Sequence, residues 1–276
     1  MKKNKIIAGL LALTLVAGVV TGCGKKEESS NDAGTTVRIG LTGTIYEDIW
    51  NPIAEDLKEE GIKIELVQFS DFSLPNQALA AGDIDLNAFQ HHAYFNSDVE
   101  SNGYDIVPIG DTFVIAMNIY SNKITDVSEL KDGDKVAVPN DASNEGRALK
   151  VLESAGILNI KESAGNNPEI TDIESYNVQI ELVEANAADL CALLPDVEAA
   201  VINGNYALDY GIDPNEEAIF AEKNYADDSY FCLIAARSDE ADSEVYKKIV
   251  EAFQSENTKK IFKDEFKGFF VPAWEK

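Results

Sequence analysis

Asn140 and Asn144 flank a turn, and Arg147 follows where a helix begins. Together they offer two amides, backbone N–H groups and a guanidinium. A planar guanidinium matches a carboxylate through two parallel hydrogen bonds, and a helix N-terminus adds a positive end. The chemistry this suits is capture of a carboxylate. A plainer reading fits the same residues: Asn140 or Ser143 caps the helix and Arg147 is a solvated charge.

Other chemistries find less support. Asp83 and Asp85 are two apart on a strand and share a face, but they bound that strand more naturally than they perform acid–base work. The chain has no G-x-S-x-G elbow, HExxH pair or phosphate loop, and no nucleophile beside a base. Its two histidines, His91 and His92, are adjacent, so on a strand they point to opposite faces and do not chelate together. Neither a metal, a cofactor nor catalysis is expected.

Alternating strands and helices must position these groups. Residues 37–41 predict a buried strand, Thr42-Gly43-Thr44 a turn, and residues 46–60 an amphipathic helix with Ile49, Ile53 and Leu57 at helical spacing. Pro52 is expected in the first turn of that helix. Ile62–Phe69 reads as a second strand, which makes a βαβ opening. Pro75–Ala81 reads as a short helix stopped at Gly82, followed by a third strand that ends in Phe89, Gln90 and His91. In open α/β sheets ligands sit beyond the carboxyl ends of strands, so this cluster is well placed.

Residues 112–120 form a long apolar strand suited to leaving a first lobe for a second. There the grammar repeats: a strand at Lys135–Pro139, a turn at 140–146, and a helix over 147–155 terminated by Gly156. Further strands are expected at 178–184 and 199–202, the latter closed by the turn Asn203-Gly204-Asn205. Residues 230–236 form a strand that crosses back, and Glu244–Phe253 is a closing amphipathic helix. Two α/β lobes joined by two crossings place a cleft between them, with hinges that absorb closure around a small ligand.

The N-terminus sets location. Lys2, Lys3 and Lys5 precede an apolar run from Ile6 to Val20, which has the length of a signal-peptide core and is short for a membrane span. Val20-Thr21-Gly22-Cys23 resembles the bacterial lipobox, which implies cleavage after Gly22 and a lipid on Cys23. Residues 23–36 then read as a lipidated flexible tether. Losing residues 1–22 removes three lysines and no acid, so the formal charge falls from −26 to −29. Such an excess of acids excludes nucleic acid as a natural partner. Cys191 and Cys232 remain; an oxidising compartment permits a disulfide, and their apolar neighbours suit buried thiols equally well.

Three groups of residues carry a family likeness: Gly82-Asp83-Ile84-Asp85 with Asn87-Ala88-Phe89-Gln90-His91; Val136-Ala137-Val138-Pro139-Asn140-Asp141 with Asn144 and Gly146-Arg147-Ala148-Leu149; and Ala200-Val201-Ile202-Asn203 with Tyr206-Ala207. With them the chain resembles the NlpA lipoprotein family, the methionine-binding components of ABC importers, over residues 37–274. The resemblance implies an α/β, two-lobed type II periplasmic-binding-protein fold with two hinge crossings. Its lobes would be 37–116 plus 231–276, and 117–230. By the same resemblance Phe89 and His91 wall a side-chain pocket, Arg147 with Asn144 and Asn140 holds an α-carboxylate, and Asn203 helps to bind the α-amino group.

Two positions depart from the family pattern. Phe72 stands where many members carry tyrosine, and Cys232 where many carry asparagine. A thiol is a weak acceptor, so an ammonium group left unpaired at Cys232 would cost about 1–3 kcal/mol. The expected ligand is therefore methionine or a relative: another apolar amino acid, a derivative or a short peptide. The expected partners are an ABC permease and the membrane that holds the lipid, with the chain monomeric on the extracytoplasmic face. Two rivals stay open at this level, a binding protein for another ligand class and a surface lipoprotein with a vestigial cleft.

Overall fold

The alternating residues Val37, Ile39 and Leu41 form one face of a strand in a mixed sheet and bury it in the first lobe's core. The computed structural model describes residues 34–165, 167–223 and 228–275. Its first strand, β1 (Thr35–Thr42), leads through a turn into α1 (Ile45–Glu59) and back along β2 (Ile62–Phe69), parallel to β1. Tyr46, Ile49, Trp50, Ile53 and Leu57 form the buried stripe of α1. Pro52 sits inside this helix, not in its first turn. Lacking an N–H, it leaves the carbonyl of Asp48 without a helical partner on a partly exposed face.

Next come α2 (Pro75–Ala81), β3 (Leu86–Asn87), α3 (His92–Asn102) and β4 (Ile106–Asp111). Gly82 ends α2 with φ +79, a conformation a side chain would strain. The third strand is much shorter than expected: after Asn87 the chain leaves the sheet, and only His91 returns to bridge Cys232. The predicted strand over 112–120 is likewise broken into β5 (Phe113–Val114) and β6 (Met117–Tyr120), and the break is where the chain passes between sheets.

The second sheet is built from β7 (Lys135–Pro139), which precedes α4 (Ala142–Ser154) and the hairpin of β8 (Leu158–Ile160) with β9 (Ile173–Tyr176), then β10 (Glu181–Ala185), α5 (Leu190–Leu193) and β11 (Ala199–Asn203). Its strand order is β10-β7-β11-β6, parallel apart from β6. The helix α6 (Gly204–Asp209) occupies the place where a turn was expected after β11.

The chain then returns to the first sheet through β12 (Leu233–Arg237), which lies antiparallel between β3 and β4. It closes with α7 (Glu244–Phe253), α8 (Glu256–Asp264) and β13 (Val271–Pro272) paired to β5. The first sheet has the order β2-β1-β3-β12-β4. Each sheet thus holds one antiparallel strand delivered by a crossing, the two-lobed periplasmic-binding-protein arrangement. The first lobe has an aromatic core in which Trp50 meets Phe253 at 4.9 Å and Phe113 meets Phe270 at 4.8 Å. Among the described residues no helix is long and apolar enough to cross a membrane.

Candidate ligand cleft

Asp141 fixes the start of α4. Its Oδ1 accepts from the Asn144 N–H at 3.0 Å and from the Ser143 hydroxyl at 3.0 Å, so this aspartate is the cap and the helix begins five residues before the predicted start. Gly146 had suggested a turn. It sits within the helix instead, where a Cβ would meet Pro168 O at 3.0 Å, so the close approach of the 167–168 segment favours glycine. The early start turns Asn144 and Arg147 inward. Asn140, by contrast, follows the buried Pro139 at the end of β7, is exposed and does not line the cleft. Its expected part in holding a carboxylate is therefore withdrawn.

Arg147 is 4% exposed, so the solvated-charge reading fails. Its Nε and Nη2 donate to Glu222 Oε1 and Oε2 at 2.9 and 2.6 Å, and Nη2 donates also to Ile115 O at 2.7 Å. Glu222 is held in turn: its Oε2 accepts from the Met117 N–H at 2.7 Å, and its own N–H donates to Asn118 Oδ1 at 3.0 Å. Burial alone would lower the arginine pKa, but the Glu222 carboxylate outweighs it and raises it further. The guanidinium lies 4.5 Å from the ring centre of Tyr230. Its Nη1 makes no hydrogen bond among the described residues, although Arg147 lines the cleft and Glu222 does not. Two N–H groups of a clamped cation are thereby left for a ligand anion.

A chain of amides and imidazole runs from this cation across the cleft. His91 Nδ1 accepts from the Tyr94 N–H at 3.1 Å, capping α3, so the ring proton sits on Nε2 and is donated to Asn144 Oδ1 at 3.2 Å. Burial, helped by the Arg147 charge, drives the His91 pKa down to about 3, so the ring is neutral. Asn203 Nδ2 donates to the same Asn144 oxygen at 2.8 Å. That bond fixes the orientation of the Asn203 amide and leaves its Oδ1 buried without a partner among the described residues. Both Asp141 oxygens lie within 3.0 Å of Asn144 Nδ2, and one carboxylate can share a single hydrogen, leaving the other toward the cleft.

The far wall is aromatic. Phe72, Phe89 and Tyr94 have ring centres 5.8–5.9 Å apart, and Tyr206 packs 4.9 Å from Phe72. Tyr94 donates its hydroxyl to Phe72 O at 2.9 Å, which ties the wall together. Between wall and cation lies a cavity that both line. Cys232 also lines it; burial pushes its thiol up to about 12, so it is neutral. Cys191 is free as well, its Sγ directed to Tyr206 O at 3.5 Å, and the two cysteines do not pair.

Of the residues singled out in the sequence, the structure brings together Phe72, Phe89, His91, Asn144, Arg147, Asn203 and Cys232. Tyr46, Tyr94 and Glu222 were missed. Tyr46 read as core because it shares the helical stripe of Ile49 and Ile53, whereas Tyr94, three residues after His91, carried a signal in the cluster at the strand's end. Asp83 and Asp85 serve structure: Arg38 Nη2 pairs with Asp85 Oδ1 at 2.7 Å, and Arg38 Nη1 donates to Asp83 O. His92 binds Asp111 Oδ1 at 2.7 Å, apart from His91. Among the described residues no cluster of three or more His, Cys, Asp or Glu is suited to a metal.

A cleft between two α/β lobes, with a clamped cation facing an aromatic wall, is the architecture of a solute-binding protein. Residues 37–274 match the family model described as NlpA lipoprotein, and the chain belongs to that family. It is 38% identical over 274 residues, 99% of each chain, to the D-methionine-binding lipoprotein MetQ of Escherichia coli O157:H7. A nutrient-binding protein from Burkholderia cenocepacia, solved bound to methionine, is similar with 38% identity and a TM-score of 0.81 over 86% of this chain and 99% of that one. Protein PG110 of Staphylococcus aureus is similar with 37% identity and a TM-score of 0.83, over 86% and 94%.

Proposed function

We propose that this protein is the lipid-anchored receptor of an ABC importer, and that it closes on methionine or a related apolar amino acid and delivers it to the permease. The observation that carries the reading is the state of Arg147: Glu222 fixes its position while two of its N–H groups stay uncommitted at the cleft. A ligand α-carboxylate meets these donors, with Asn144 beside them. The aromatic wall of Phe72, Phe89 and Tyr94 then receives the side chain, whose thioether would make favourable contacts with ring edges. Asn203 Oδ1 accepts from the amino group. Relatives named for methionine support this assignment of ligand.

On this reading the lobes are residues 37–116 plus 231–276, and 117–230. The signal peptide 1–22, the lipidated Cys23 and the tether to residue 36 lie outside the described residues but for the last few of the tether. A short tether keeps the monomeric receptor beside its permease on the extracytoplasmic face at high effective concentration. The test is calorimetric titration of residues 24–276, unfolded and refolded to strip carried-over ligand, against L- and D-methionine, other apolar amino acids and dipeptides. Methionine is expected to bind in the micromolar range or tighter. Binding by none of the panel would overturn the proposal.

A further inference from the structure

Tyr46 is the second residue of α1, and its ring is fixed in the first lobe's core, 5.6 Å from Phe113 and 6.3 Å from Phe270. The residue is 1% exposed, yet its hydroxyl makes no hydrogen bond among the described residues. A buried tyrosine hydroxyl ordinarily has a partner, so an uncommitted one at a cavity wall is a group held for something else. Tyr46 lines the same cavity as Arg147, Asn203 and Cys232. Among the described residues that line it there is no carboxylate. Of the acids behind the walls, Glu222 is spent on Arg147, Asp141 on Asn144 and the start of α4, and Asp209 on the start of α1.

An α-ammonium group brings three N–H donors and a full charge into this site. Asn203 Oδ1 can take one of them. Cys232 offers only a neutral thiol, a weak acceptor. We infer that Tyr46 is a ligand-contacting, specificity-determining residue, its phenol oxygen accepting from the α-ammonium of the bound amino acid beside Asn203 Oδ1. Recognition of the amino group in this protein is thus achieved by neutral oxygen dipoles, one on each lobe, so the group is bound only when the lobes meet. Burial raises the Tyr46 pKa well above the ordinary phenol value, and a neutral phenol keeps a lone pair free at any physiological pH.

This inference rests on the amino-acid reading above, and its test separates the two. The Tyr46→Phe protein, which keeps the ring and its packing, is titrated with L-methionine and with 4-(methylthio)butanoate, the same molecule without its amino group, by competition where direct heats are small. Loss of a hydrogen bond to a charged group predicts a fall of about 10- to 100-fold in methionine affinity, with the amino-free acid bound as by the unaltered protein. A Cys232→Asn change placed on Tyr46→Phe supplies a new carbonyl acceptor and is expected to recover a large part of the loss. Unchanged methionine affinity in Tyr46→Phe, or an equal loss for both ligands, would overturn the inference. Failure of the unaltered protein to bind any amino acid would instead overturn the function on which it rests.

Discussion

Asp209 of the second lobe caps the first helix of the other lobe: its Oδ1 accepts from the Ile45 N–H at 2.8 Å and from the Thr44 hydroxyl at 2.9 Å. The α1 N-terminus has no cap from its own residues. Gly43, at φ +114, allows the approach, because a Cβ there would collide with Asp209 Oδ2. Nearby, Asn205 Nδ2 donates to Thr42 O at 3.2 Å. A helix whose first N–H is capped by a side chain of the facing lobe gains stability on closure.

Asp209→Ala is therefore expected to act on the closed, liganded protein. A cap is worth about 0.5–2 kcal/mol, so methionine affinity should fall about 2- to 30-fold, mainly through faster dissociation, while the ligand-free melting temperature stays nearly constant. Stopped-flow dissociation and thermal melting with and without methionine read both quantities. An equal drop in melting temperature in the two states would mean an ordinary helix cap and no closure contact.

Glu222→Ala is expected to cost about 3–5 kcal/mol of stability, because it strands a buried guanidinium. Glu222→Gln, which keeps one oxygen toward Arg147, should cost less. Denaturant melts of the soluble protein measure the difference. An alanine variant as stable as the parent would contradict the clamp.

His91 predicts an acid limb in stability. Its pKa is about 3 in the fold and near 6.5 in an unfolded chain. Between these values the unfolded state binds more protons, so stability rises with pH across the window and is lost as pH falls from about 6.5 toward 3. His91→Gln should flatten that limb by about one proton in the slope of unfolding free energy against pH. An unchanged slope would show that the loss of stability arises elsewhere, among the carboxylates.

Much of this was legible in the chain. Ile62–Phe69 and Glu244–Phe253 fall where periodicity placed them, because their buried faces follow the residue pattern without long-range help. The third strand and the 112–120 crossing were misread for the opposite reason: Ala88, Phe113 and Ile115 are buried in the first lobe's core and Met117 and Ile119 in the second's, so an unbroken apolar run hides the places where the backbone leaves one sheet for another. Arg147 could be found from its neighbours. Glu222 could not, because its role depends on a bond across 75 positions and its surrounding loop has no period. Asn140 was chosen over Asp141 as the turn's functional residue, although a carboxylate is as good a cap and the pairing with Ser143 and Asn144 selects it.

The anchor is testable apart from the ligand. Cys23→Ser should abolish lipid addition and cleavage after Gly22, leaving a precursor with residues 1–22 attached. Intact-mass spectrometry of membrane fractions reads this directly. A Cys23→Ser protein cleaved and lipidated like the parent would refute the assignment.

The central claim is that a carboxylate binds at the uncommitted edge of Arg147, and a crystal structure of the refolded protein grown with methionine tests it most directly. The account predicts the carboxylate within about 3 Å of Arg147 Nη1, the Arg147–Glu222 pair intact and the thioether among Phe72, Phe89 and Tyr94. A ligand carboxylate bound elsewhere, or one that displaces Glu222 from Arg147, would contradict it.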